Sequence, residues 1–149
     1  MNFRLRDIRE DSDLKQLDVA NKLNVTRSAY ANWEAETVNI PLIKLNDFCN
    51  QFKMSMDYVS MLTNNRENDI NFTIQVSNNT IKDRLNTLEN ELGKTQRDIA
   101  NLLGIDESTY SKYKNGNTIQ TLMLREIASK FNYSMDWIIG KTNNKHINE

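Results

Sequence analysis

The sequence predicts an all-α protein built from two tandem copies of one small five-helix domain. Residues 16–25 reappear with close similarity as residues 96–105, and residues 52–57 reappear as residues 131–136. Within each copy apolar residues recur at three- and four-residue spacing, as they do along one face of a helix. The distance between the copies is too long for the unit of a solenoid, so it indicates a duplicated domain.

The composition fits a soluble helical protein and argues against other classes. The 149 residues are 38% hydrophobic and 26% charged, with one Pro and four Gly. No apolar run approaches the ~20 residues that a membrane span needs. The first residues lack a signal-peptide pattern, so we expect a cytoplasmic protein with no membrane partner. The net charge is −1, so any affinity for nucleic acid would have to come from local placement of charge.

Residue types needed for catalysis or metal binding are scarce. Cys49 and His146 are the only cysteine and the only histidine, which excludes an internal disulfide and argues against a zinc site. Cys49 follows the apolar spacing of its helix, and we interpret it as a buried thiol. Gly-rich phosphate loops and nucleophile motifs are not found. The sequence therefore predicts a protein that is not an enzyme and has no cofactor.

The first copy begins with three short helices. The first spans Arg4 to about Asp11, and the second spans Gln16 to Leu23. Lys15 precedes the second helix and cannot cap it through its side chain. Asn24 follows, where the chain must turn sharply, because Asn tolerates the left-handed conformation better than most residues. Thr26 can cap the third helix, which runs to about Glu34, with Tyr30 and Trp33 directed inward.

Two more helices close the first copy. Pro41 fits the first turn of the fourth helix, where its missing N–H costs nothing. Leu42, Leu45 and Phe48 form the apolar side of that helix. Ser55 is expected to cap a last helix that continues to about Leu62. Asp57 lies just behind this serine, and capping is our interpretation of it.

The second copy repeats these signals with small changes. Thr95 and Asp98 match a capping box before the helix that begins at Gln96. Gly104 takes the place of Asn24 at the sharp turn, and Asp106 takes the place of Thr26 as a cap. Ser134 and Asp136 repeat the last helix start. The domains are thus predicted as residues 1–63 and 80–142, followed by a tail at 143–149.

Residues 64–79 are predicted to link the two domains. The ends of this segment are polar, but its middle alternates apolar and polar residues, which is typical of a strand over residues 70–76. A lone strand cannot satisfy its own backbone groups. Three interpretations stay open: pairing with the same segment of a second chain, packing on one domain as an extended linker, or a disordered tether. Pairing would make a homodimer through Ile70, Phe72, Ile74 and Val76.

The repeated segment carries a family resemblance. The run from Gln16 to Glu34, with its Val-Ala pair, its Leu-Asn-Val turn and its Tyr-x-Asn-Trp-Glu ending, resembles the lambda-repressor/Cro-like helix-turn-helix family, also called XRE. Residues 96–114 resemble it again and are followed by Asn115-Gly116. The resemblance implies two five-helix DNA-binding domains and a transcriptional regulator whose partner is double-stranded DNA. It is a family not known for catalysis.

The position of each residue in the helix-turn-helix motif indicates which side chains can contact DNA. In such motifs the second helix lies in the major groove, and residues near its N-terminus meet base edges. Arg can bind guanine O6 and N7 in a bidentate way, Asn can bind adenine, and a carboxylate can accept from cytosine N4. Gln at the start of the preceding helix is implied by the resemblance to contact phosphate. The candidate DNA contacts are Gln16, Lys22, Thr26, Arg27, Ser28 and Asn32 in the first copy, and Gln96, Arg97, Glu107, Ser108, Lys112 and Lys114 in the second.

Both copies depart from the family pattern. Glu36 is expected near a phosphate in the first copy, and Asp106 and Glu107 place two negative charges at the start of the second reading helix. These charges lower the DNA affinity expected of each domain alone. Binding through both domains of one chain, or through a dimer, is therefore more necessary. Sixteen linker residues can extend over about 53–58 Å, further than the ~34 Å between successive half-sites.

The sequence thus predicts a regulator, with repression by promoter occlusion as its mechanism. The alternative is a protein-interaction module of the same fold, such as an antitoxin or anti-repressor.

Overall fold

The computed structural model describes residues 1–66 and 69–147, and within these ranges it has ten helices and no strand. Residues 67–68 of the predicted linker and 148–149 of the predicted tail lie outside the described residues. The predicted all-α class with two tandem five-helix domains is confirmed. The first copy contains α1 (Leu5–Asp11), α2 (Gln16–Lys22), α3 (Arg27–Glu34), α4 (Leu42–Phe52) and α5 (Met56–Val59), and the second contains α6 (Asn78–Leu92), α7 (Gln96–Leu103), α8 (Glu107–Lys114), α9 (Thr121–Phe131) and α10 (Met135–Ile138).

One apolar core runs through both copies. Tyr30 and Tyr110, which occupy equivalent positions in α3 and α8, have no exposed surface, and Trp33 retains only 7%. Cys49 is buried as predicted, and burial raises the pKa of its thiol, so it is an inert part of the core. The inner faces of the helix-turn-helix units are therefore fixed by packing.

The predicted turns and most of the predicted caps are confirmed. Asn24 has φ 57° and Gly104 has φ 70°, both in the left-handed region. Thr26 Oγ1 accepts from the N–H of Ala29 at 3.1 Å. Further confirmed caps are Ser55, Ser134 and the box made by Thr95 and Asp98.

Two details of the helix starts differ from expectation, and a third agrees with it. Asp106 makes no side-chain capping hydrogen bond, although it precedes α8. Pro41 stands just before α4 and not inside its first turn. Lys15 makes no side-chain cap, as expected, and its own N–H donates to Asp18 Oδ2 at 2.8 Å, which fixes the start of α2.

The first helix of each copy is anchored to the last one in the same manner. The Arg4 guanidinium lies 4.5 Å from the centre of the Tyr58 ring, and its Nε donates to the Tyr58 carbonyl at 2.8 Å. Arg84 lies 4.7 Å from the centre of the Trp137 ring and donates to the Trp137 carbonyl at 3.1 Å. The repeat therefore extends from sequence to individual contacts.

The linker prediction needs correction. Residues 70–76 form no strand, and α6 begins at Asn78, inside the range expected to be linker. The segment lies on its own chain and turns at residues 72–73. Asn46 Nδ2 donates to the Ile74 carbonyl at 3.0 Å, and the Phe72 ring lies under the ammonium groups of Lys53 and Lys141. The alternating pattern therefore reflects one packed and one exposed side. This is nearest to the second interpretation, but the segment contacts both copies, through Asn46 and Lys141, and is not extended throughout. Pairing of this segment with a second chain stays a prediction.

The two copies dock through α5 and α10 by exchanging hydrogen bonds. Asp57 Oδ1 accepts from the Met135 N–H at 2.7 Å, and Asp136 Oδ1 accepts from the Met56 N–H at 2.8 Å. Asp57 also accepts from the Ser134 hydroxyl. Each carboxylate thus caps the last helix of the other copy, which corrects the interpretation that each caps its own. Because equivalent residues exchange equivalent bonds, the copies are related by an approximate two-fold axis.

Contacts away from this axis reinforce the docking. Thr121 Oγ1 donates to the Ile40 carbonyl at 2.6 Å, and Arg125 Nε donates to the Ser60 carbonyl at 2.9 Å. Lys141 is 1% exposed, and its Nζ donates to Asn46 Oδ1 at 2.9 Å and to Asn50 Oδ1 at 2.7 Å. Desolvation lowers the pKa of this ammonium group. The two domains are therefore parts of one body.

Candidate nucleic-acid interface

The reading edge of the first copy is formed by the exposed side of α3. Arg27, Ser28 and Asn32 are exposed there, while Tyr30 on the opposite side is buried. Arg27 Nη1 donates to Gln16 Oε1 at 3.3 Å. The first residue of α2 therefore touches the first residue of α3, and the two candidate DNA contacts belong to one cluster.

A buried carboxylate holds α3 from behind. Glu34 accepts from Arg9 Nη2 at 2.7 Å and from Gln16 Nε2 at 3.3 Å. Burial alone would raise the pKa of Glu34, but hydrogen bonds led by that from Arg9 outweigh burial and lower the pKa to about 2. Glu34 is thus a structural anion that ties α3 to α1 and to the Gln16 side chain.

The other predicted contacts of the first copy are Lys22 in the last turn of α2, the cap residue Thr26 and, within α3, Asn32. Lys22 and Thr26 are exposed, with Thr26 Oγ1 engaged in its cap. Asn32 Oδ1 accepts from Thr37 Oγ1 at 3.3 Å. Glu36, which we expected near a phosphate, instead accepts from the Asn2 N–H at 2.7 Å. The carboxylate is thereby held toward the start of the chain.

The second copy presents a matching edge with different chemistry. Glu107, Ser108 and Lys112 are exposed on α8. Arg97 Nε lies 3.4 Å from Glu107 Oε1, and Gln96 Nε2 lies 3.5 Å from Glu107 Oε2. As in the first copy, the glutamine that begins the preceding helix touches the first residue of the reading helix.

Lys114 does not share this exposure. It is 6% exposed, and its Nζ lies 2.8 Å from Glu89 Oε2, which also accepts from the Tyr110 hydroxyl. An ammonium group buried against a carboxylate is not available to a phosphate, so the prediction that Lys114 contacts DNA is corrected. Its role is the one that Glu34 has in the first copy.

Sequence reasoning missed the residues that orient the two edges relative to each other. Asp57, Asp136 and Lys141 belong to the contacts between the copies, and none was predicted to join them. The available signal was the exact recurrence of Ser-Met-Asp at residues 55–57 and 134–136. A capping serine explains the first position of that triplet but leaves a recurrent buried aspartate unexplained.

No cluster of His, Cys, Asp and Glu in residues 1–66 and 69–147 is arranged to hold a metal ion. No helix in the same part of the chain is both long and apolar enough to cross a membrane.

Comparison with known proteins agrees with this geometry. Over 60 residues the chain is 35% identical to an uncharacterized HTH-type transcriptional regulator, YobD, of Bacillus subtilis (strain 168), a match that covers 40% of this chain and 54% of that protein. The chain thus spans about half the length of this curated relative. No solved structure matches. The helix-turn-helix family model matches residues 5–59 and 87–138, which include both reading helices. Because these matches cover most of the chain, the protein belongs to the helix-turn-helix family of the XRE type.

Proposed function

We propose that this chain is a sequence-specific transcriptional regulator that inserts both α3 and α8 into the major groove and represses transcription by covering promoter DNA. The observation that carries the proposal is the exposure of equivalent polar residues on two reading helices whose opposite sides are buried. Access to promoter DNA requires the cytoplasm, and that location is part of the proposal.

Local charge supports binding despite the net charge of −1. In the first copy Arg27 is exposed at the reading edge, Lys22 is exposed in the last turn of α2, and Glu34 is neutralised by Arg9. In the second copy Arg97 and Lys112 are exposed beside Glu107. Cations at the edge would meet phosphates and release counterions, so we expect affinity to fall steeply with salt.

Repression by occlusion of a promoter follows directly from sequence-specific DNA binding. It requires only that the protein occupy DNA that a polymerase needs. Two linked reading helices raise the effective concentration of the second contact once the first is made, which can increase affinity by about 10²–10⁴.

A second chain is a separate proposal. Pairing through Ile70, Phe72, Ile74 and Val76 would make a homodimer with four reading helices. Exchanging Phe72 for Asp would break such a dimer, and sedimentation of the variant and of the original chain would measure it. An unchanged mass would reject pairing through the linker without affecting the proposal of DNA binding.

The test of the function is selection of bound sequences from random duplex DNA by the full chain, followed by titration of the selected duplex. Arg27→Ala should weaken specific binding by about 1–3 kcal/mol and relax one base position. Lys130→Ala is the matched control, because Lys130 is an exposed cation in the last turn of α9 and is not one of the candidate DNA contacts. Recovery of no enriched sequence, together with capture of a stoichiometric protein partner, would favour the interaction-module hypothesis.

A further inference from the structure

The two reading edges carry unlike side chains at equivalent positions. Arg27 of α3 corresponds to Glu107 of α8, and Asn32 corresponds to Lys112, whereas Ser28 and Ser108 match. All six of these side chains are exposed. The difference in charge therefore falls on the surfaces that would meet base edges.

The approximate two-fold axis sets how these unlike edges are arranged. The bonds from Met135 to Asp57 and from Met56 to Asp136 are exchanged between equivalent residues. Such an isologous contact relates the two reading helices by rotation, as in a symmetric dimer. Two-fold symmetry of the protein is matched by inverted half-sites in the DNA. A homodimer presents identical reading helices and therefore selects the same base at equivalent positions of both half-sites. The two reading helices of this chain differ, so they can select different bases.

The first residue of each reading helix selects a different base by its chemistry. Arg27 has five N–H donors and suits the O6 and N7 acceptors of guanine, whereas the Glu107 carboxylate accepts only and suits the N4 amino group of cytosine. A lone carboxylate would be repelled by phosphates, but Arg97 Nε lies 3.4 Å from Glu107. The first copy has Leu17 where the second has Arg97, so a cation is added only where the carboxylate needs one.

We propose that one chain binds one operator that is an imperfect palindrome, with guanine opposite Arg27 in one half and cytosine opposite Glu107 at the symmetry-equivalent position of the other. This inference rests on the proposed function. Gln16 accepts from Arg27 through its Oε1 at 3.3 Å, whereas Gln96 donates to Glu107 through its Nε2 at 3.5 Å. They act as positioning residues for Arg27 and Glu107.

The experiment compares sequences selected by the original chain, by Glu107→Arg and by Glu107→Gln. The original chain should select inverted halves that differ at the position under α8. Glu107→Arg should select guanine at the symmetry-equivalent position of both halves, and it should favour guanine over cytosine under α8 by about 5- to 150-fold, the discrimination of one good base contact. Glu107→Gln should select adenine at that position, because Gln pairs with adenine N6 and N7.

The control and the contrary results separate the two proposals. Glu126→Arg makes the same change of charge at an exposed position of α9 and should leave the selected bases unchanged. The mass of the complex should correspond to one chain on one duplex. Selection of identical halves by the original chain, an unchanged base preference in Glu107→Arg, or two chains on one duplex would overturn the inference while DNA binding stands. Failure of the original chain and of every variant to enrich any sequence would overturn the proposed function as well.

Discussion

At the residue scale, an ion pair joins the reading helix of each copy to the first helix of that copy. In the first copy the reading helix carries the anion, and in the second copy it carries the cation. Arg9 of α1 meets Glu34 of α3 at 2.7 Å, and Glu89 of α6 meets Lys114 of α8 at 2.8 Å. The four residues occupy equivalent positions in the repeat, so both copies have an ion pair there, with the positive and negative residues in opposite places. A lysine at the end of a reading helix looks available to DNA until its partner, far away in sequence, is known.

The first prediction is that Glu34→Gln destabilises the protein by about 3–5 kcal/mol, because it leaves the largely buried Arg9 without its carboxylate. Urea unfolding at pH 7 measures the change. Glu10→Gln is the matched control: Glu10 lies 3.8 Å from the same arginine but is 60% exposed, and an exposed pair contributes only about 0–1 kcal/mol. Equal losses in the two variants would contradict a special role for the buried pair.

The second prediction concerns pH and the same carboxylate. Its pKa is about 2 in the folded protein and 4.5 ordinarily, so between these values the unfolded chain binds more protons. The contribution of Glu34 is therefore fully present above pH 4.5 and is lost as the pH falls through 2. The difference in unfolding free energy between the original chain and Glu34→Gln should shrink over this window. A difference that stays constant down to pH 2 would show that the ionised carboxylate is not its cause.

At the element scale, the parts that follow from local chemistry were predictable and the linker was not. The turn at Asn24 and the caps at Thr26 and Ser55 depend on residues within a few positions, so the sequence identifies them. The alternation of apolar and polar residues over 70–76 indicates only that one side of the segment is buried. Whether a strand partner or the surface of α4 covers it depends on docking, and the segment lies on α4 through Asn46.

The third prediction tests the sharp turn between the first two helices of the motif in the second copy. Gly104 has φ 70°, and nothing lies within 4 Å of the place where a Cβ would be. The cost of Gly104→Ala is thus backbone strain alone, about 1–2 kcal/mol. Gly104→Asn should cost less, since Asn24 holds the equivalent turn at φ 57°. Thermal or urea unfolding of the two variants measures the order, and a more stable alanine variant would be the opposite of what strain requires.

At the scale of the whole molecule, the arrangement of the two copies determines whether one chain can read two half-sites. This arrangement was not predictable from the sequence. Asp57 and Asp136 stand two places after capping serines, and only docking decides whose N–H groups they accept. Burial and the neighbouring Asp136 carboxylate raise the pKa of Asp57 well above its usual range. A pair of acids is retained in the core of the interface despite this electrostatic cost, because each satisfies backbone donors of the other copy.

The fourth prediction is that replacing both Asp57 and Asp136 by Ala releases the copies from each other without unfolding either one. Each replacement leaves buried N–H groups of the opposite helix without acceptors, at a cost of about 1–3 kcal/mol for each group. The radius of gyration from X-ray scattering should increase, and urea unfolding should separate into two transitions, while the helical circular dichroism signal stays the same. Asp47→Ala, which removes an aspartate from a half-buried pair with Lys44 within α4, should change none of these. Unchanged scattering and a single transition in the double variant would mean that the linker and Lys141 hold the two domains together unaided.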